Sequence, residues 1–170
     1  MIQIKSSRLF ISPAKILTAY LAEMKRSHHV LEPEIYGSTE EFILRDDQCV
    51  FTIVKADSKE WLGGMSLHGV DQIVGKYEIG YWLRPEFTGN GYASEAVTAL
   101  TCLLFQKYQA KRVEIRCDSR NSGSIRLART LGFLPEAVWS RRDTHTGKQG
   151  QSLVFARYDA EGLNDPRTTP

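Results

Sequence analysis

The spacing of apolar and polar positions along the 170-residue chain changes several times. Leu9-Phe10-Ile11 is a short apolar run closed by Pro13 and predicts a strand. From Ala14 to Lys25, Ile16, Leu17, Tyr20, Leu21 and Met24 recur at helical steps. Pro33 and Gly37 interrupt the next stretch, and Ser38-Thr39-Glu40-Glu41 ahead of Phe42 has the form of a helix start. Val50 to Val54 and Trp61 to His68 are β-rich runs separated by a polar turn, Ala56 to Glu60. Lys76 to Arg84 alternates, with Tyr77, Ile79, Tyr81 and Leu83 on one face and Glu78, Gly80 and Trp82 on the other. Ala93, Ala96, Val97, Leu100, Leu103, Leu104 and Tyr108 form the stripe of a long amphipathic helix. Arg112 to Cys117 alternates again, placing Val113, Ile115 and Cys117 together. After Asn121, Ile125, Ala128 and Leu131 mark a shorter helix, ended by Gly132 in the left-handed conformation with Phe133 packed behind it. Ala137 to Arg142 and Gln151 to Tyr158 read as a closing hairpin around Thr146-Gly147-Lys148.

Strands first, then strand–helix–strand–helix, then a hairpin imply a mixed α/β sheet flanked by helices. The length suits one core, so residues 1–158 are expected to form a single domain and 159–170 a loose tail. Hydrophobic residues at 42% and charged residues at 25% exclude a disordered chain or a coiled-coil rod. No apolar run reaches the ~20 residues of a membrane-spanning helix. Met1-Ile2-Gln3-Ile4-Lys5 lacks the layout of a secretion signal, so a cytoplasmic location is expected. The formal charge of +2 offers no global basic field for nucleic acid, and no DNA or membrane partner is expected. Cys49, Cys102 and Cys117 are widely spaced and read as reduced, buried thiols. His28, His29, His68 and His145 show no metal-ligand spacing, so no metal is expected.

The chemistry concentrates in Thr88-Gly89-Asn90-Gly91-Tyr92-Ala93-Ser94, between a strand and the long helix. Glycines admit a tight turn and close approach by a ligand. A helix N-terminus adds unpaired N–H groups and partial positive charge, and together these suit a pyrophosphate. The same residues also suit a plain turn into a helix. A Walker loop is excluded because Tyr92, not Lys, follows Gly91. A dinucleotide fold is disfavoured by Ser94 at the third glycine position and by the mid-chain location. Gly64-Met65-Ser66-Leu67-His68 lacks the last glycine of a hydrolase elbow, and Ser66 falls in a strand.

Tyr77-Glu78-Ile79-Gly80-Tyr81-Trp82-Leu83, Pro85-Glu86, Gly89-Asn90-Gly91-Tyr92-Ala93-Ser94-Glu95-Ala96, Arg116-Cys117-Asp118, Asn121, Ser124 and Leu131-Gly132-Phe133 succeed one another in that order. This series resembles the GCN5-related N-acetyltransferases, in the branch of the ribosomal-protein alanine and serine N-acetyltransferases. The resemblance is firmest from Tyr77 to Phe133. It implies an α+β fold with a mostly antiparallel mixed sheet, a splayed parallel strand pair and flanking helices. It implies acetyl-coenzyme A as cosubstrate, with its pantetheine arm on the backbone of Trp82 and Leu83 and its pyrophosphate on the amides from Gly89 through Ser94. Family members often carry Gln or Arg where this chain has Thr88, a departure that leaves the backbone cradle intact.

Acetyl transfer needs a neutral amine, a donor for the developing oxyanion and a proton or positive field for the departing sulfur. By resemblance, the Leu83 N–H is the oxyanion donor and Glu78 a base acting through water. Glu78 equally reads as a group that binds the cationic amine or pairs with an arginine. Many family members place a Tyr acid on the second helix; that position is Ala128. Ser124, one turn beyond Asn121, is the hydroxyl left to hydrogen-bond the sulfur, and its other reading is helix-capping polarity. Asn121 reads as a coenzyme contact or an ordinary N-cap. Arg112, Arg116, Arg120, Arg126 and Arg129 read as a solvated basic face from which one or two arginines could hold the coenzyme 3′-phosphate. The expected acceptor is a protein N-terminus. The alternatives are a small amine such as a polyamine, amino acid or aminoglycoside, or a non-catalytic coenzyme-binding module. A monomer or homodimer is expected.

Overall fold

A computed structural model describes residues 4–13, 49–142 and 149–167. The helix expected over Ala14 to Lys25, the helix start at Ser38 to Phe42 and the turn at Thr146-Gly147-Lys148 lie outside the described residues. The strands are β1 (Ile4–Lys5), β2 (Leu9–Pro13), β3 (Cys49–Lys55), β4 (Trp61–Asp71), β5 (Lys76–Leu83), β6 (Arg112–Asp118), β7 (Leu134–Arg142) and β8 (Gln149–Arg157). Helix α1 (Tyr92–Lys107) joins β5 to β6, and helix α2 (Ser122–Thr130) joins β6 to β7. The eight strands form one sheet in the order β1-β2-β3-β4-β5-β6-β8-β7. Every described pairing is antiparallel except β5 with β6, which the α1 crossover makes parallel.

The alternation read from sequence sets the faces. Met65 and Leu67 of β4, Tyr77 and Ile79 of β5, and Val113 and Ile115 of β6 are buried in one core with Leu100 and Leu104 of α1. Gly132 adopts φ +72° and closes α2, and Phe133 is buried behind it, its N–H donating to the Ala128 carbonyl. β2 closes at Pro13, which pairs with Phe51.

Helix α1 departs from the expected single stripe. Every residue from Ala96 to Leu104 is buried, including Thr98, Thr101 and Cys102. Its outer side meets the chain beyond β8. Gln106 donates to Asp165, and Arg167 pairs with Asp165 at 2.6 Å and donates to Gln106. Burial pushes the Cys102 thiol up to about 11, with the charge of Asp165 adding to it. A stripe read from α1 alone omits this second cover because the covering residues lie far along the chain.

Candidate active site

The parallel pair β5–β6 stays in register for three positions: Lys76 with Arg112, Tyr77 with Val113 and Glu78 with Glu114. Beyond Glu78 the strands part. Among the described residues, β5 continues to Leu83 paired only with β4, and β6 continues to Asp118 paired only with β8. A cavity of about 640 Å³ is lined by the parted end of β5, the start of α1 and the inner side of α2.

The glycine loop forms one wall. Gly89 and Gly91 hold φ +78° and +79°, left-handed values that favour glycine. A Cβ at Gly89 would meet nothing within 4 Å among the described residues, and Gly89 lines the cavity. Gly91 caps α1, and the first helical amide to bond back is Glu95, to the Gly91 carbonyl at 3.0 Å. The N–H groups of Tyr92, Ala93 and Ser94 therefore lack partners within the helix. Thr88 turns its hydroxyl onto the Pro85 carbonyl at 2.7 Å.

Arg8 of the β1–β2 turn, absent from the sequence reading, braces this loop. Its guanidinium donates to the Asn90 carbonyl at 3.2 Å, stacks on Tyr92 at 4.7 Å and pairs with Glu95 at 2.7 Å. Glu95 also accepts from the hydroxyls of Ser6 and Ser7. Burial pushes the Glu95 carboxyl upward, but the bonds from Ser6 and Arg8 outweigh it and hold it below the usual range. The only sequence signal for this brace is an acid in the first helical turn, and its partners lie eighty-odd positions earlier.

Trp82 and Leu83 line the cavity with Thr88, Gly89, Gly91, Tyr92, Ala93, Ser94, Asn121 and Ser124. Asn121 caps α2, its side-chain oxygen accepting from the Ser124 N–H at 3.0 Å. Ala128 is fully buried in the core. Tyr81, Gly123, Arg126, Leu127 and Thr130 also line the cavity, and the sequence reading gave none of them a defined place there. Asn90 is not among the lining residues; its side chain donates to the Thr88 carbonyl.

Glu78 also lies outside the cavity lining, on the opposite face of the sheet from Tyr81. Its carboxylate pairs with Arg116 at 2.9 Å, the arginine-pairing arrangement among its sequence readings. Arg116 also reaches Glu114 at 2.9 Å and stacks on Trp139 at 4.2 Å. Glu114 is 3% exposed and further bound by Arg112 and Lys76. Burial pushes its carboxyl upward, and the hydrogen bonds from Arg112 and Arg116 overcome this and hold it low. Of the five arginines expected on a basic face, Arg112, Arg116 and Arg120 are ion-paired. Arg126 lines the cavity.

A parted parallel pair facing a glycine-capped helix is matched by comparison with known proteins. The acetyltransferase (GNAT) domain family matches residues 15–134, well over half of the chain. The chain belongs to the GNAT acetyltransferase family. Among curated relatives, it is 33% identical over 108 residues to the ribosomal-protein-serine acetyltransferase of Escherichia coli, covering 64% of this chain and 59% of that protein. The first curated relatives are likewise matched over 50–60% of their own length. Among solved structures, the ribosomal L7/L12 acetyltransferase RimL in complex with coenzyme A superposes with a TM-score of 0.72 at 21% identity, over 94% of this chain and 99% of that one. The spermidine/spermine N-acetyltransferase SpeG of Vibrio cholerae does so at 0.71 and 17%, over 96% and 98%. At these identities the two structures share the fold, and the fold alone does not choose between their acceptors.

Proposed function

We propose that this protein transfers the acetyl group of acetyl-coenzyme A to a primary amine, in a ternary complex, and that its acceptor is a protein N-terminal α-amine. The observation that carries the reading is the parting of β5 and β6 after Glu78, with the opening amides of α1, which have no partners within the helix, on the same cavity. Bound acetyl-coenzyme A supplies an activated acetyl thioester. The backbone of Trp82 and Leu83 would hold its pantetheine arm as an added strand, and the amides from Gly89 through Ser94 its pyrophosphate. Arg126, which lines the cavity, would hold the coenzyme 3′-phosphate.

The Leu83 N–H meets the negative charge that develops on the carbonyl oxygen, and Ser124 hydrogen-bonds the departing sulfur. Glu78, held by Arg116, acts on the acceptor side by attracting the cationic amine. An α-amine with a pKa near ~8 has a neutral fraction at neutral pH without a strong base. The identity to the ribosomal-protein-serine acetyltransferase supports the protein acceptor.

Calorimetry with acetyl-coenzyme A, followed by free-thiol release across a panel of acceptors, tests this. Peptides with N-terminal Ser or Ala should turn over. Turnover of a polyamine, amino acid or aminoglycoside with all peptides inert would replace the acceptor. Binding without any turnover would make the protein a coenzyme-binding module.

A further inference from the structure

The Tyr81 phenol is the cavity's least explained group. Tyr81 shares the β5 face of Ile79 and lines the cavity together with Ser124. Its hydroxyl oxygen is sealed from solvent and, among the described residues, makes no well-formed hydrogen bond, Ser124 being the hydroxyl near it. Folded proteins pair most of their buried hydroxyls. Two neighbours face it: Ser124 of α2 and Cys117 of β6. Burial pushes the phenol above its ordinary pKa and Cys117 adds to this, while the Ser124 hydroxyl pulls the other way. The proton therefore stays on Tyr81 at neutral pH, beside the serine assigned to the leaving sulfur.

We propose that Tyr81 is a positioning residue behind Ser124, passing its proton to the Ser124 oxygen as Ser124 gives its own to the departing coenzyme sulfur. The inference rests on the acetyltransferase reading and deepens it. As the new N–C bond forms, the C–S bond breaks and its electron pair goes to sulfur. Sulfur takes the Ser124 proton, and Ser124 takes the phenolic one. The proton released by the acceptor nitrogen leaves into the cavity, and one returns to the phenolate through Ser124, which lines that cavity, so atoms and charge balance and nothing is oxidised. The chemistry favours such a pair. An alkanol is a poor acid, and a phenol remains a far stronger one even when burial raises it.

The test compares Tyr81→Phe, Ser124→Ala and the double variant in steady-state kinetics, with a ¹³C-tyrosine NMR titration of the free protein. Tyr81→Phe should bind acetyl-coenzyme A with unchanged heat and lose about tenfold or more in kcat, with KM for the coenzyme held within about twofold. The double variant should be no slower than Ser124→Ala, because the phenol acts through the serine. In the free protein, Ser124→Ala should move the Tyr81 titration upward, since the serine hydroxyl no longer supports the phenolate. A Tyr81→Phe protein as fast as an active wild type, multiplying penalties in the double variant, or an unmoved titration each overturns the proposal and leaves the acetyltransferase reading standing. A wild type that binds acetyl-coenzyme A but acetylates no amine overturns both.

Discussion

Gly91 shows how much one residue's backbone decides. Its φ of +79° both caps α1 and exposes the helix amides to the cavity. Gly91→Val would strain the backbone by about 1–2 kcal/mol and push a branched side chain toward Arg8, 3.4 Å from the Cβ position. The expected outcome is a KM for acetyl-coenzyme A raised at least about tenfold with a smaller change in kcat, read by steady-state kinetics. Normal coenzyme binding by this variant would remove the pyrophosphate seat from the loop. Glu78 is decided differently, by its partner rather than its backbone. With its carboxylate tied to Arg116, Glu78→Gln should raise the acceptor KM more than it lowers kcat. The acid limb of the pH–rate profile should persist, because it belongs to the amine; its disappearance would identify Glu78 as the base. Glycine in the loop was legible because few residues adopt that conformation. The partner of Glu78 was not, because no local pattern says which arginine will stand opposite it.

Among elements, the β4–β5 pair shows what a register demands. Gly63 sits opposite Leu83. A Cβ on it would overlap the Trp82 carbonyl oxygen and stand 2.8 Å from the Leu83 Cα. Both obstacles are backbone, so they cannot rotate away. Gly63→Ala should cost about 1–3 kcal/mol in chemical denaturation and weaken coenzyme binding, because the strand it displaces carries Trp82 and Leu83. A variant as stable and active as wild type would mean that β5 is not held at this spacing. Alternation made β3, β4, β5 and β6 readable one at a time, since each buries one face. It did not reveal that β5 and β6 pair for only three residues. Separation of two strands is a property of the crossover and the helices packed beside it.

For the molecule as a whole, two depressed carboxyls link distant parts of the chain. Glu95 joins the β1–β2 turn to α1, and Glu114 gathers Arg112, Arg116 and Lys76 at the sheet's centre. Both have pKa values lowered by folding. Their contribution is complete above the unfolded carboxylate value near ~4.3 and is lost as pH falls through the lower folded values. Thermal melting should therefore be flat down to about pH 5 and fall steeply below it. Glu114→Gln should lower stability near neutral pH and flatten the acid slope. An unchanged slope would show that the cluster forms equally in the unfolded chain.

The order of the elements from β3 to β6, the faces that their strands bury and the glycine-capped helix start were settled by local sequence, because period and backbone freedom act over a few residues. The family resemblance rested on those same short motifs, and the match over residues 15–134 agrees with it. Only tertiary structure decided that Arg8 braces the loop, that Arg116 claims Glu78, and that Tyr81 and Ser124 line one cavity. Each depends on side chains meeting across strands or from distant segments. That geometry is set by how the whole sheet twists and parts, which no local run of residues encodes.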